Sequence, residues 1–181
     1  MKTSFLVTMV FSSIAYLNAQ SNSMVEDGLF KINALVPGVS YEFGVDDRTT
    51  INLDATVGFA LNGGSDRETS FGLYPGFGAE LRNYVNFDRR IRKGKNITGN
   101  TGNYISFLNQ FQLGKPVIGG LEYSSSYFYN VAAVYGLQRT YSKGFYFNLG
   151  FGPAVFFDEF DKNAGLLIDA RIGWVIGGRK K

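Results

Sequence analysis

The chain contains no cysteine and no histidine. Without cysteine there is no disulfide, no thiol nucleophile and no thiolate metal ligand. Without histidine it lacks the commonest general base and the commonest zinc ligand. A hydrolase that activates its nucleophile through histidine is therefore excluded by composition. Charge is scarce too: 18% of the 181 residues are charged, against the usual quarter. The net charge of +3 is too small and too dispersed to hold a nucleic acid. Beyond the first twenty residues, no stretch approaches the ~18 uncharged apolar residues that a spanning helix needs. What remains is a chain with 23 glycines and 16% aromatics. It is too apolar for disorder and too often interrupted by polar residues for membrane helices.

The first twenty residues stand apart. Lys2 gives a positive start, residues 5–16 are apolar, and Leu17-Asn18-Ala19 ends on a small residue before Gln20-Ser21. This layout predicts a secretory signal peptide over 1–19, cleaved after Ala19. The alternative is a single membrane anchor, for which the run is short. Residues 20–181 then form one domain, exported from the cytoplasm and opening on a flexible polar lead-in over 20–28.

Residues 51–61 alternate without a fault. Ile51, Leu53, Ala55, Val57, Phe59 and Leu61 oppose Asn52, Asp54, Thr56, Gly58 and Ala60. A period of two marks a strand, and eleven residues is about the length of a tilted strand crossing a bilayer. Similar stretches cover 35–45, 71–85, 104–113, 127–140, 145–157 and 166–176. The turns and loops between them are 46–49, 62–69, a basic loop from Arg89, 114–126, 142–144 and 158–164. That is seven strands, and single-chain outer-membrane barrels have an even number. We expect eight, the missing one lying in 24–34 or arising from division of 30–45.

Alternation fits both a soluble barrel with its apolar face inward and a membrane barrel with it outward. Glycine separates the two. Gly38, Gly44, Gly58, Gly72, Gly76, Gly78, Gly136, Gly150, Gly152 and Gly173 all share the polar face, where an eight-stranded interior has room only for filling side chains. Phe43, Phe59, Phe77, Phe147, Phe151 and Trp174 share the other. The expected fold is an all-β, antiparallel, up-and-down transmembrane β-barrel. Pro37, Pro75 and Pro153 fall in strand-like stretches and should mark bulges or strand ends. Short turns face the periplasm and long loops the exterior. Residues 46–49, 142–144 and the basic segment are thus expected on the periplasmic side, with 62–69, 114–126 and 158–164 outside.

On this reading Glu42, Asp54, Glu80, Arg82, Asp169 and Arg171 point into the lumen. Buried charges must pair or hold water, so they are expected to form an ion-pair network that plugs the barrel. A polar pathway for solutes is the alternative. Arg89, Arg90, Arg92, Lys93 and Lys95 are candidate contacts for acidic headgroups or lipopolysaccharide phosphates, or else a solvated turn. No catalytic residue, metal site or cofactor is expected.

The segments Pro37-Gly38-Val39-Ser40-Tyr41-Glu42, Glu80-Leu81-Arg82-Asn83-Tyr84, Lys93-Gly94-Lys95, Gly102-Asn103-Tyr104 and Tyr135-Gly136-Leu137-Gln138-Arg139 carry a resemblance, as does the closing Gly-rich aromatic strand. With these the chain resembles the small eight-stranded outer-membrane β-barrel proteins of Gram-negative bacteria. The resemblance covers most of residues 20–181 and implies an outer-membrane location, lipid and lipopolysaccharide contact, and insertion by the barrel-assembly machinery. It transfers no catalytic residue. The tail from Gly177 departs from the terminal aromatic common in such barrels, Trp174 being the nearest. The expected role is structural or surface-interacting, with a small-solute channel and a soluble lipocalin-like binding barrel as alternatives.

Overall fold

The computed structural model describes residues 23–64 and 67–177. The expected signal peptide and the last four residues lie outside them. Eight antiparallel strands form a closed ring. They are β1 Leu29–Asn33, β2 Gly38–Asp46, β3 Thr49–Gly64, β4 Arg67–Tyr84, β5 Gly102–Leu113, β7 Tyr127–Thr140, β8 Phe145–Asp158 and β9 Lys162–Val175. A two-residue strand, β6 Ile118–Gly119, adds to β4 beyond the end of β5. Each strand pairs with its neighbours in sequence order, and β9 returns to β1 through Ile32↔Trp174 and Asn33↔Gly173. The eighth strand is β1, within the stretch 24–34.

One end of the ring, the near end, carries the chain entry at 23–28, the tight turn between β2 and β3, residues 85–101, and the turn at Ser142–Gly144. The far end carries 34–37, the last residues of β3 and the first of β4, 114–126 and 159–161. Several expected loops are shorter than the composition suggested. Pairing of β3 with β4 continues through Asn62↔Ser70 to Gly64↔Arg67, across a bulge, so most of 62–69 is strand. Likewise β9 begins at Lys162. Backbone pairing overrides the turn-forming residues there.

The basic segment is not a plain loop. Residues Phe87–Arg92 form a short helix, α1. Phe87 is buried and stacks on Tyr84, while Asn86 Oδ1 accepts the Asn103 N–H at 2.8 Å. Nor is 20–28 a free lead-in over its described part. Met24 and Val25 N–H both donate to Asp47 O, at 3.0 and 3.2 Å, and Val25 is buried.

The prolines also differ from expectation. Pro37 precedes β2, a strand end, but Pro75 and Pro153 lie inside β4 and β8. Val57 N–H donates to Pro37 O, which turns the nitrogen of its partner Pro75 away from β3, to the side where β5 pairing stops at Gly76↔Gln112 and β6 begins at Leu73↔Ile118. The missing donor thus faces a natural break. At Pro153 the β7–β8 ladder lapses between Ala132↔Ala154 and Tyr135↔Phe151 and resumes without a register shift.

The wall is uneven. β1 and β2 have 5 and 9 residues, against 16 in β3 and 14 in β9. Pairing across them stops at Asn33↔Gly173 and Gly38↔Thr56. Beyond this, the facing edges of β3 and β9 have no further ladder partner among the described residues. A notch two strands wide opens at the far end.

Closure rests on close approach at the seam. A Cβ on Gly173 would lie 1.9 Å from Ile32 O and 3.0 Å from a Tyr146 ring carbon. Gly173→Ala should lower the unfolding free energy by about 1–3 kcal/mol, read as an earlier urea midpoint. Gly120→Ala, with nothing within 4 Å of its Cβ, should leave that midpoint unchanged. Equal midpoints for both variants would contradict the seam.

Candidate functional site

The polarity of the ring is reversed relative to a water-soluble protein. Outward side chains are large and apolar, with Phe59, Leu166 and Ile168 63, 65 and 70% exposed. Inward positions hold Lys31, Glu42, Asn52, Glu80, Arg82, Gln138 and Asn148, each at most 1% exposed. Tyr84, Tyr104 and Tyr146 are buried among them, and Tyr74 is buried nearer the far end, where its hydroxyl donates to Leu121 O and its ring packs on Tyr123.

Register builds the interior in tiers. Glu42↔Asn52↔Glu80 runs across β2, β3 and β4, with Thr50↔Arg82↔Ser106 in the tier beside it. Glu42 is the hub of these tiers. Its Oε1 accepts from Thr50 Oγ1 and Tyr84 OH, both at 2.8 Å, and from Asn100 Nδ2 at 3.0 Å. Its Oε2 is paired with Lys31 Nζ and lies 3.6 Å from Arg82 Nη1. Arg82 grips Glu80 Oε2 through Nε and Nη2, at 2.8 and 2.6 Å, and lies over the Tyr104 ring. Gln138 Oε1 accepts from both cations, from Lys31 at 3.0 Å and Arg82 at 2.9 Å. Strands on opposite walls are thereby tied across the interior.

A second group stands toward the far end. Arg171 pairs with Asp54 and, through Nε, with Asp169 at 3.0 Å. Asp54 Oδ1 also accepts from Ser40 Oγ at 2.5 Å and Asn52 Nδ2 at 2.9 Å. Asn148 connects the groups, accepting from Tyr104 OH at 2.9 Å and donating to Asp169 at 3.4 Å. Among the described residues the two groups hold three cations (Lys31, Arg82, Arg171) and four carboxylates (Glu42, Asp54, Glu80, Asp169).

The near end is sealed over this network. Asn100 reaches into Glu42, and Gly99 O accepts from Gln138 Nε2 at 3.0 Å. Phe87, Tyr84, Tyr104 and Val25 pack together just below. Residues 85–101 are thus a folded cap, which accounts for their length at the end that otherwise carries short turns. Toward the far end the interior opens into a cavity of about 250 Å³, walled among others by Asn33, Asp54, Gln110, Gln112, Asn130 and Arg171.

No family model, curated protein or solved structure matches the chain. Site and fold stand on their own geometry.

Of the six charged residues expected inside, Glu42, Asp54, Glu80, Arg82 and Arg171 are buried and Asp169 is half-buried; ion contacts join Glu42, Arg82 and Glu80 in one group and Asp54, Arg171 and Asp169 in the other. The five basic residues of the other set are outside. Arg89, Arg92, Lys93 and Lys95 are exposed, and Arg90 donates twice to Asn96 O, at 3.1 and 2.7 Å, bracing the turn after α1. Arg48 pairs with Asp88 of α1 at 2.7 Å.

Sequence reasoning missed Lys31, the cation closest to the hub. Its signal was present but short: Phe30 and Ile32 face out and Leu29, Lys31 and Asn33 face in. Gln138 and the buried tyrosines were missed because neither type is small or charged. The rule that small and polar residues mark the inside also fails on one wall, where Leu108, Ala132, Val134, Ala154 and Leu167 form a buried apolar cluster.

Removing one member of a buried ion pair leaves the other uncompensated. Lys31→Met should cost about 3–5 kcal/mol, and adding Glu42→Gln should recover part of that loss. A double-mutant cycle from urea unfolding measures the coupling. Strict additivity would show that Glu42 does not depend on Lys31.

At the far end, Glu159 accepts from the Ser126 N–H at 3.0 Å and Oγ at 2.8 Å. These two bonds hold its carboxyl below the usual glutamate range. Because the folded value is depressed, the tether is intact at neutral pH and lost as pH falls through that folded value. A carboxyl ¹³C titration of Glu159, followed with the Ser126 amide, should give a common midpoint below that of a free glutamate. A midpoint at or above the free value would remove the tether.

Proposed function

We propose that the chain is an integral outer-membrane protein: an up-and-down β-barrel of eight strands, inserted after export, with a structural or surface-interaction role. The observation that carries this is the reversal of polarity. A carboxylate hub with no exposed surface, paired to lysine and arginine inside, coexists with phenylalanine, leucine and isoleucine more than half exposed outside. In water such an outer face would be an aggregation liability far larger than ordinary apolar patches. Against hydrocarbon it is the matching surface, and the closed ladder meets the demand that backbone groups find partners there. The same reversal argues against a soluble lipocalin-like barrel, whose apolar face would line the interior.

In this reading the near end faces the periplasm and the far end the exterior. Arg89, Arg92, Lys93 and Lys95 then stand where periplasmic-leaflet phosphates are within reach, and the far-end loops meet lipopolysaccharide and any external partner. Insertion would fall to the barrel-assembly machinery. The reading assigns no catalysis and no cofactor.

Within the barrel reading, the packed hub beneath the cavity and the cap at 85–101 favour a plug over a channel. Cell fractionation should recover the protein in the detergent-dependent outer-membrane fraction, migrating differently on gels before and after boiling. Recovery in the soluble periplasm without detergent would overturn the membrane assignment. Purified protein in planar bilayers should give no reproducible conductance steps; regular steps would replace the plug with a channel.

A further inference from the structure

The cavity above the plug has a chemistry that the plug does not use. Its wall is built from two adjacent register tiers, Asp54↔Gly78↔Gln110↔Asn130 and Thr56↔Gly76↔Gln112↔Phe128. Among the described residues two buried acceptors on that wall lack any hydrogen-bond donor: Asp54 Oδ2, on a residue only 7% exposed, and Asn130 Oδ1; Arg171 Nη1, which also lines the cavity, makes no hydrogen bond and is held by its ion contact with Asp54 Oδ1. An orphaned buried acceptor is costly, and a charged one more so. Among the described residues the two interior groups carry one more carboxylate than cation, and an uncompensated charge in a low dielectric calls for a counter-cation.

We infer that this cavity binds a small primary ammonium group, its N–H donors directed to Asp54 Oδ2 and Asn130 Oδ1. An ammonium supplies three donors and one positive charge and accepts nothing, which is what these atoms lack. No three His, Cys, Asp or Glu side chains that could hold a metal ion cluster among the described residues, so the site suits an organic cation better than a divalent metal. At about 250 Å³ the cavity falls below the roughly 300–1,000 Å³ of pockets for drug-sized ligands. The side-chain amides of Gln110 and Gln112 and the hydroxyl of Thr56 add hydrogen-bonding groups to the wall, for any oxygen the ligand carries.

Two sources present this chemistry. One is a free amine entering from the far end. The other is an ethanolamine lipid headgroup entering through the notch above β1 and β2, since Asn33 and Val36 at the base of that notch also line the cavity. The second source rests on the membrane reading; the ammonium site itself does not.

The test uses the refolded chain in neutral-headgroup micelles, titrated with ethanolamine, choline and acetate, with backbone amide shifts as readout. Ethanolamine should give saturable shifts at Asp54, Gly78 and Asn130, at least tenfold tighter than choline, which has no N–H. Acetate should give none. Asp54→Asn should weaken ethanolamine at least tenfold. Because that variant also disturbs the Arg171 pair, Gly78→Ala is the second probe. Its Cβ would sit 3.2 Å from Asp54 Oδ2, crowding the acceptor without removing the carboxylate that pairs with Arg171, and it too should weaken ethanolamine. Absence of saturable shifts at these three amides, or equal affinity for ethanolamine and choline, overturns the site. In nanodiscs, the shifts should appear without added amine if ethanolamine lipids are the source, and only on adding free amine if they are not. Heat-modifiable migration of the same sample reports the barrel separately, so a protein that stays soluble without detergent would sink the membrane reading while leaving the amine titration to be judged alone.

Discussion

The structure depends on a buried carboxylate that is never left alone. Glu42 has no exposed surface, yet two cations, two hydroxyls and two side-chain amides from five different segments converge on it. Placing a charge inside protein costs several kcal/mol unless its lone pairs are filled. Here the partners come from β1, β3, β4, β7 and the cap, so the cost is offset only when the ring has closed. The hub therefore favours one ring size and one register. A strand slipped by one residue would send Lys31, Glu42 or Arg82 to the apolar outside.

The same constraint explains the division of the interior. Where arginine, lysine and tyrosine are long enough to meet across the lumen, they fill it, and a folded segment seals them from below. Farther along, Gly76 and Gly78 stand where side chains would otherwise fill, and a cavity takes their place. Strength and openness are thus two tiers of one register, set by which inward positions are glycine. The far end is also where the wall is lowest, because β1 and β2 stop while β3 and β9 continue.

Much of the architecture was legible in the primary sequence, because the physics of a two-sided strand writes a period of two. The alternation at 51–61 gives β3 its faces correctly, and the glycine placement points to the interior. The six charges assigned to the lumen follow from parity once glycine has marked the inner face. What parity could not give was anything set by partners distant in the chain. β1 is only five residues long, so its alternation is present but too brief to stand out, and with it went Lys31. Phe87 and Asn100 belong to a cap whose order depends on Tyr84 and Glu42, so the basic stretch read as a loop. Gly63 and Gly64 read as a turn because composition outweighs pairing in a local window. Leu108 and its apolar neighbours show that one wall of the interior is lined with grease despite its charged surroundings.

The central claim is that the apolar face of this ring meets hydrocarbon. Trp174 is the sole tryptophan and projects from that face, about half exposed, which makes it an intrinsic reporter. Its fluorescence in vesicles should be quenched strongly by lipids brominated on their acyl chains and little by aqueous iodide. Efficient iodide quenching with no effect of brominated lipid would place that face in water and contradict the account.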